Sequence, residues 1–525
     1  MPLAATPAGI EEALVALLLI AAAVAILARR AGVPYTIGLV LVGLAVGLVT
    51  HVSAVSLSSD LVFYVFLPVL LFEAAFDLEA RHLLTDWRRV LILAVPGVLV
   101  AFALTALGVH IAGGMTWALA LLFGALITAT DPVSVVAIFR RLGAPARLTT
   151  LVDSESLFND GTAAVLFAIV LTAVVDGTSV GAAEAVGRFA WMAGGGLAVG
   201  LALGYAASFA LRALDDHLIE ITLTTIVAFG SFLLGERLGM SGVVACVAAG
   251  LVVGSYGRRR SMSPVTRVTM GTVWEYAAFV ANSLIFLLIG LRIDLGGIVE
   301  HAGLVVLAFV VVVAARAVTI YGFGAFSRLA GRGLPWSWHH VLVWGGLRGT
   351  IALALVLTVP ATVPGRDTLQ VVTFGVVLLS LVGQGLTMPW LARRLGLVGT
   401  AGPEEARRRE ALLAGFVVAH EELERLQDEG SVPRAERRHL ERPIEEQEAA
   451  LLEGIGAEAD EPAEGEEEKL AERIGALVAQ RRRLQALRGA GVLADAAADD
   501  LVDEIDRRIA ALSERLTCER DVGAR

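Results

Sequence analysis

Apolar stretches recur along the first 400 residues of this chain, and most are long enough to cross a lipid bilayer as a helix. The hydrocarbon core of a bilayer is about 30 Å thick, which a helix rising 1.5 Å per residue spans with about 20 residues. We place about thirteen such stretches, at residues 10–28, 36–50, 60–76, 89–110, 116–139, 157–175, 188–212, 218–236, 240–256, 273–291, 301–327, 338–359 and 368–392. Together with a hydrophobic content of 56% and a mean hydropathy of +0.72, they predict an all-α polytopic membrane protein.

The loops between these stretches differ in their arginine content. Loops after odd-numbered stretches carry two or more arginines, such as Arg29 and Arg30 after the first and Arg140 and Arg141 after the fifth, except the loop after the seventh, which holds Arg212 alone. Loops after even-numbered stretches hold at most one. Because cytoplasmic loops are enriched in Arg and Lys, this alternation predicts an odd number of spans, an N-terminus outside and a cytoplasmic C-terminal tail.

The composition of the chain changes near residue 400. The residues before it carry 23 Lys and Arg against 21 Asp and Glu, whereas the rest carry 19 against 31. We therefore predict a transmembrane domain at 1–398 and an acidic helical tail at 399–525, either a set of solvated amphipathic helices or a regulatory or dimerising element. The two cysteines, Cys246 and Cys518, indicate neither a disulfide framework nor a zinc site. No cofactor is expected.

Two of the predicted spans are interrupted at polar residues. The fifth contains Thr-Ala-Thr-Asp-Pro at residues 128–132, where proline removes a backbone donor and disfavours helical geometry at the residue before it. The twelfth contains Gly-Gly-Leu-Arg-Gly-Thr at residues 345–350. If spans 1 to 6 and 8 to 13 form two inverted six-helix repeats, the interruptions occupy equivalent places, which predicts crossing discontinuous helices around a binding site near the membrane midplane.

The sixth span carries the acidic residue that most strongly indicates a function. Asp160 follows Asn159 within an apolar stretch, where a charge is costly and therefore indicates a functional site. A lone carboxylate at that depth is neutralised by a proton or by a dehydrated cation, but hardly by both. Oxygens of Thr130, Ser156 and the opened backbone would replace the water around the bound cation. We therefore predict that H⁺ and a monovalent cation compete for Asp160.

Arg348, in the interruption of the twelfth span, needs an acidic partner at membrane depth, because an unpaired buried guanidinium is hard to tolerate. We favour Glu155 over Asp131 as that partner. Asp153 and Glu155 also stand near the expected start of the sixth span, where carboxylates stabilise the positive end of a helix, so simple capping is an alternative for both.

The sequence does not decide the partners or roles of the other ionisable residues in the spans. Arg316 has two candidate partners, Glu275 and Asp294. His339 and His340 stand at the mouth of the twelfth span, where solvation at the membrane interface is favoured over pH sensing.

Three motifs together resemble the bacterial NhaP-type and animal NHE-type sodium/proton exchangers. They are Thr-Asp-Pro-Val at 130–133, Glu-Ser-Leu-Phe-Asn-Asp at 155–160 and Gly-Gly-Leu-Arg-Gly at 345–349, and the resemblance spans residues 10–395. It implies a thirteen-helix antiporter fold, a core domain that moves against a dimerisation domain, and a homodimer in the plasma (inner) membrane.

The resemblance also implies roles for individual residues. The position matching Asp160 carries the ion and the proton, and the asparagine matching Asn159 accompanies electroneutral one-for-one exchange. Thr130 and Ser156 match coordinating positions, and Glu73 matches a further acidic residue near the ion path. We include Asp131, beside Thr130, in the expected ion- and proton-binding set.

The sequence favours a secondary antiporter that exchanges Na⁺ or Li⁺ for H⁺. Residues 345–350 lack the spacing and the lysine of a phosphate-binding loop, so we expect an ion gradient to drive transport, with no enzymatic activity and no nucleic-acid partner. The alternatives are K⁺/H⁺ antiport, a membrane receptor with a signalling tail, and a passive cation channel.

Overall fold

The computed structural model describes most of the first 397 residues. The described ranges are 7–31, 34–50, 59–78, 80–178, 181–213, 216–258, 262, 264–329, 333–397 and 443–444. Within them the chain forms helices and no strand. The predicted domain boundary at 398–399 and the predicted tail helices lie outside the described residues, apart from the helical Pro443 and Ile444.

Each predicted apolar stretch contains a helix or a broken pair of helices. In chain order the described residues form sixteen: α1 Pro7–Ala31; α2 Tyr35–Thr50; α3 Ser59–Leu61, a π-helical turn Val62–Phe66 and Leu67–Asp77; α4 Ala80–Ile92, a π-helical turn Leu93–Gly97 and Val98–Ile111; α5 Trp117–Ile127; α6 Val133–Leu142; α7 Ala146–Asp176; α8 Ala182–Ala210; α9 His217–Arg237; α10 Gly242–Val252 with a π-helical turn Val253–Gly257; α11 Pro264–Arg292; α12 Leu295–Glu300; α13 Ala302–Leu329; α14 Trp336–Trp344; α15 Thr350–Thr358; and α16 Arg366–Leu379, a π-helical turn Ser380–Gly385 and Leu386–Arg394. The all-α architecture is thus confirmed.

Seven of the described helices are long and apolar enough to cross a membrane, and four further apolar helices are shorter. Large apolar side chains are exposed on several of them, such as Phe209 and Ile111, each 72% exposed. Exposed apolar surface on this scale indicates contact with lipid. The count of thirteen crossings and the two six-helix repeats stay predictions.

Local side-chain chemistry sets several helix ends. Thr116 begins α5, Asp216 begins α9 and Ser241 begins α10, each by accepting a hydrogen bond from a backbone N–H of the first turn. Gly143 and Gly177 end α6 and α7 in the left-handed conformation, at φ 66° and 64°, which glycine adopts without the steric cost of a Cβ atom.

Glycines let two pairs of helices approach closely. In α8, Gly200 lies against the backbone of α10 at Ala245, and Gly204 lies against Ala249. Gly43 of α2 and Gly290 of α11 face each other, and a Cβ on either would collide with the other helix. Contact of this kind packs two helices into one rigid pair.

Candidate ion-binding site

The two interruptions lie against each other in the interior. The backbone stops being helical between α5 and α6 and again between α14 and α15. The N–H of Asp131, in the first break, donates to the carbonyl of Leu347, in the second, at 2.8 Å. At Gly349 an added Cβ would collide with the Asp131 side chain, so glycine is required for this close approach. The predicted breaks and their crossing are confirmed.

Charged side chains compensate the open helix ends at these breaks. The Arg348 guanidinium donates to the carbonyls of Thr128 and Ala129, at 2.9 and 3.3 Å, just after the end of α5. The Asp131 carboxylate accepts from the N–H of Val133, at 3.0 Å, and also faces the N–H of Thr350. These residues begin α6 and α15. Because helix C-termini are partially negative and N-termini partially positive, each side chain meets a pole of opposite sign.

The predicted pairing of Arg348 with Glu155 is wrong. Glu155 forms a bidentate ion pair with Arg316 of α13, with N–O distances of 2.7 and 2.9 Å, and Arg316 also donates to the carbonyl of Leu342. Both Glu155 oxygens are therefore occupied, and Arg348 is held by the α5 carbonyls instead. Arg316 itself pairs with neither of the candidates considered for it; one of them, Glu275, is exposed and lines a cavity.

The capping interpretation of Asp153 and Glu155 is also wrong. α7 begins at Ala146, so both residues lie about two turns or more inside the helix. Glu155 is 1% exposed and points toward Arg316, whereas Asp153 lines the cavity. The helix start was misplaced because its first turns are polar, and apolar content alone does not reveal them.

A network of polar side chains lies beside Asp160. The Asn159 amide donates to the Thr130 hydroxyl at 3.0 Å, and that hydroxyl donates to Ser156 at 3.1 Å. The backbone N–H of Thr130 faces the Asp160 carboxylate. Asp160 is 8% exposed, and the other three side chains of the network are buried more deeply. The structure thus brings together four of the predicted ion-binding residues.

Three buried oxygens at this place find no hydrogen-bond partner among the described residues. They are Oδ1 of Asp160, Oδ1 of Asn159 and Oδ2 of Asp131. A buried polar atom without a partner is costly, and a buried charge much more so. Oxygens of this kind can bind a proton or contribute to the oxygen shell of a hard cation.

A cavity of about 1210 Å³ leads to the site. Its lining includes Asp160, Asp131, Thr130 and the predicted Glu73, while Asn159 and Ser156 stand behind it. Three arginines also line it, namely Arg140, Arg141 and Arg393. The cavity is large enough for a hydrated cation, and carboxylates outnumber arginines along its wall.

Two features of the site were not identified from the sequence. Asp153 lines the cavity, and Ser380 of α16 accepts a hydrogen bond from the backbone N–H of Arg348 at 2.9 Å. The break before α15 signals that some group must satisfy this N–H, but the sequence does not say which. His339 is buried rather than solvated at the interface, whereas His340 is exposed and hydrogen-bonded to Tyr321.

Comparison with known proteins gives a consistent result. The family described as sodium/hydrogen exchanger, transmembrane, matches residues 15–394. The chain is 39% identical over 378 residues to the Na⁺/H⁺ antiporter ApNhaP of Aphanothece halophytica, covering 72% of each. It is 36% identical over 519 residues to the Na⁺/H⁺ antiporter NhaS2 of Synechocystis, covering 96% of this chain and 94% of the relative.

A solved structure has the same fold. The sodium proton antiporter MjNhaP1 of Methanocaldococcus jannaschii superposes with a TM-score of 0.61 at 20% sequence identity. The match covers 73% of this chain and 98% of that one. At this identity the likeness concerns the fold alone.

Proposed function

The chain belongs to the sodium/hydrogen exchanger family, and on that premise we propose that it exchanges Na⁺ for H⁺ by binding the two ions in turn at Asp160. The observation that carries the proposal is the buried Oδ1 of that carboxylate, which has no hydrogen-bond partner among the described residues, on a side chain that lines the cavity. One negative charge is neutralised by one proton or one Na⁺. Because the two ions compete, each leaves when the other binds, and the gradient of one drives the other.

The ligands of Na⁺ come from the residues around the broken helices. Hard monovalent and divalent cations take oxygen ligands, and those at hand are the Asp160 carboxylate, the hydroxyls of Thr130 and Ser156, and the free oxygens of Asn159 and Asp131. Glu73 lies further along the cavity wall and accepts the cation on its way to Asp160.

Exchange is electroneutral, one Na⁺ for one H⁺. Asn159 is an amide and contributes no charge, so Asp160 is the carboxylate at this point of α7 that changes its occupant. Asp131 accepts from the N–H of Val133, at the start of α6, so this carboxylate also has a structural role at the end of a helix.

The cavity opens to the cytoplasm. Arg140 and Arg141 lie in the last turn of α6 and Arg393 in the last turn of α16, and the positive-inside rule assigns helix ends of this kind to that side. The protein accordingly lies in the plasma membrane with its N-terminus outside and the acidic tail, 399–525, in the cytoplasm. It works as a homodimer and supports pH and sodium homeostasis.

The test is ion flux in everted membrane vesicles that hold a pH gradient, with Na⁺, Li⁺ and K⁺ added separately. Na⁺ or Li⁺ is expected to collapse the gradient, and the Na⁺ concentration for half-maximal exchange rises as the pH falls, because protons occupy more of the sites. A larger response to K⁺ than to Na⁺ identifies a K⁺/H⁺ antiporter of the same fold. No response to any cation contradicts the proposal.

A further inference from the structure

The cavity lies between two groups of helices. One wall is formed by residues of α1, α2, α3 and α11, including Tyr35 and Phe279. The other is formed by the two breaks, α6, α7, the start of α15 and the end of α16, and it carries Asp160 and Asp131. A transporter must expose its site to the two sides of the membrane in turn, which inverted-repeat transporters achieve by moving one bundle against another. The two walls must therefore change their contacts during each cycle.

α2 lines the cavity at its first residue, Tyr35. It packs closely on α11, where Gly43 faces Gly290. Its first turn, however, reaches the opposite wall. Ile37 is fully buried and lies against Gly385, in the π-helical turn of α16.

A buried hydrogen bond joins the walls beside this contact. The hydroxyl oxygens of Thr36, in α2, and Ser134, in α6, are 2.6 Å apart. Thr36 is 0% exposed and Ser134 is 2% exposed. Ser134 stands in the first turn of the half-helix whose N-terminus the Asp131 carboxylate caps, so the bond ties α2 directly to the element that bears the ion site.

We propose that Thr36 and Ser134 are positioning residues of the exchange cycle, whose hydrogen bond holds the walls in this cavity-open arrangement and must break before the site reaches the other side. The inference rests on the proposed antiport, and it adds the contact that controls access to the ion site. Two buried hydroxyls that lose each other need new partners, so the bond favours the open arrangement without making it permanent.

A reversible crosslink tests whether the two residues separate. Thr36→Cys and Ser134→Cys are combined with Cys246→Ala and Cys518→Ala, so that the new pair is the only source of an internal disulfide. Two hydroxyls within 2.6 Å place the Cβ atoms near the range that a disulfide spans. Oxidation is expected to abolish Na⁺/H⁺ exchange in proteoliposomes while equilibrium ²²Na⁺ binding persists, and a reductant restores exchange.

The chain offers a matched control pair within the scaffold. Ser231 of α9 is hydrogen-bonded to the thiol of Cys246 of α10, and these helices pack on each other away from the cavity lining. Ser231→Cys with Cys518→Ala is expected to exchange equally well oxidised and reduced. If the protein with the Thr36–Ser134 crosslink also exchanges equally well in the oxidised and reduced states, the proposal is wrong. If the uncrosslinked parent fails to exchange Na⁺ for H⁺, the proposed function is wrong instead.

A second variant decides the question if the disulfide does not form. Thr36→Val with Ser134→Ala removes both hydroxyls and leaves no unpaired one. Loss of one hydrogen bond is expected to raise the Na⁺ concentration for half-maximal exchange, measured from the cavity side, by about two- to ten-fold, at unchanged thermal stability. Thr36→Ser, which keeps the hydroxyl, is expected to restore the wild-type value. An unchanged half-maximal concentration in the double variant overturns the proposal.

Discussion

Two acids on α7, little more than one turn apart, differ in what surrounds them. Glu155 is 1% exposed, and both its oxygens are bound by Arg316. Asp160 is 8% exposed, lines the cavity and keeps one oxygen without a partner among the described residues. Both are buried carboxylates in a membrane helix, so burial alone does not mark a transport site. In the proposed mechanism the distinguishing feature of Asp160 is its unpartnered oxygen, because an ion can bind there and leave again.

The two buried arginines show the same contrast between fixed structure and the site. Arg316 neutralises one acid and is stabilised by one carbonyl. Arg348 meets carbonyl oxygens at a broken helix end, and its Nε finds no partner among the described residues. The Arg316–Glu155 pair ties α13 to α7. Arg348 instead stabilises an irregular backbone at membrane depth, where non-helical backbone needs polar or charged neighbours.

The largest expected effect is that of Asp160→Asn. Exchange should fall to background, about 100-fold or more, because removing the group that carries the ion removes the reaction itself. Folding should not suffer, since the substitution replaces an unsatisfied carboxylate by a neutral amide of similar size. Vesicle flux and thermal unfolding of the purified protein measure the two effects. An active Asp160→Asn variant would remove this residue from the mechanism.

Arg316→Met should mainly affect folding. It leaves Glu155 as an uncompensated buried charge, a change that typically costs about 3–5 kcal/mol, so the yield of folded protein and the melting temperature should fall. Adding Glu155→Leu replaces the whole pair by apolar groups and should recover most of the loss. Failure of this rescue would mean that the bidentate pair is not the main role of Arg316.

A surface pair supplies the control for that experiment. Arg188 and Glu184 are also 2.7 Å apart, but both are exposed. Since exposed pairs contribute little, about 0.3–0.5 kcal/mol on a helix, Arg188→Met should leave stability nearly unchanged. An equal loss of stability for Arg188→Met and Arg316→Met would show that burial does not determine how much the ion pair contributes.

A smaller effect is expected for Gly349→Ala. The added Cβ collides with the Asp131 side chain, and a clash in a packed interior costs about 1–3 kcal/mol. Displacing that carboxylate should also weaken Na⁺ binding, seen as a higher half-maximal Na⁺ concentration. Gly230→Ala is the matched control, because a Cβ there meets nothing within 4 Å. Equal Na⁺ affinities in the two variants would show that the close approach of the two breaks does not affect ion binding.

The sequence predicted the site better than it predicted the ion pairs. Pro132 and the glycines around Arg348 act on the backbone locally, so the breaks could be placed without knowing the fold. The apolar context of Asp160 likewise made its burial predictable. Each of these two signals lies within one segment of the chain, so it can be read without knowing how the helices pack.

The partner of Glu155 depends on how distant helices pack, and the sequence does not show this. Arg316 lies 161 positions away, and the sequence favoured Arg348 as the partner of Glu155 instead. The start of α7 was also hidden, because its first turns are polar enough to resemble a loop. Misplacing that start made Glu155 and Asp153 look like capping residues. The hydrogen bond between Thr36 and Ser134 had no sequence signal, since isolated hydroxyls are common in membrane helices.

The most direct test of the account is the release of protons when Na⁺ binds to the purified protein in weakly buffered detergent solution. If H⁺ and Na⁺ share Asp160, Na⁺ addition to protonated protein should release up to one proton per bound Na⁺, and Asp160→Asn should release none. Na⁺ binding that releases no protons at any pH would show that the two ions occupy separate places, and would contradict competition at a single carboxylate.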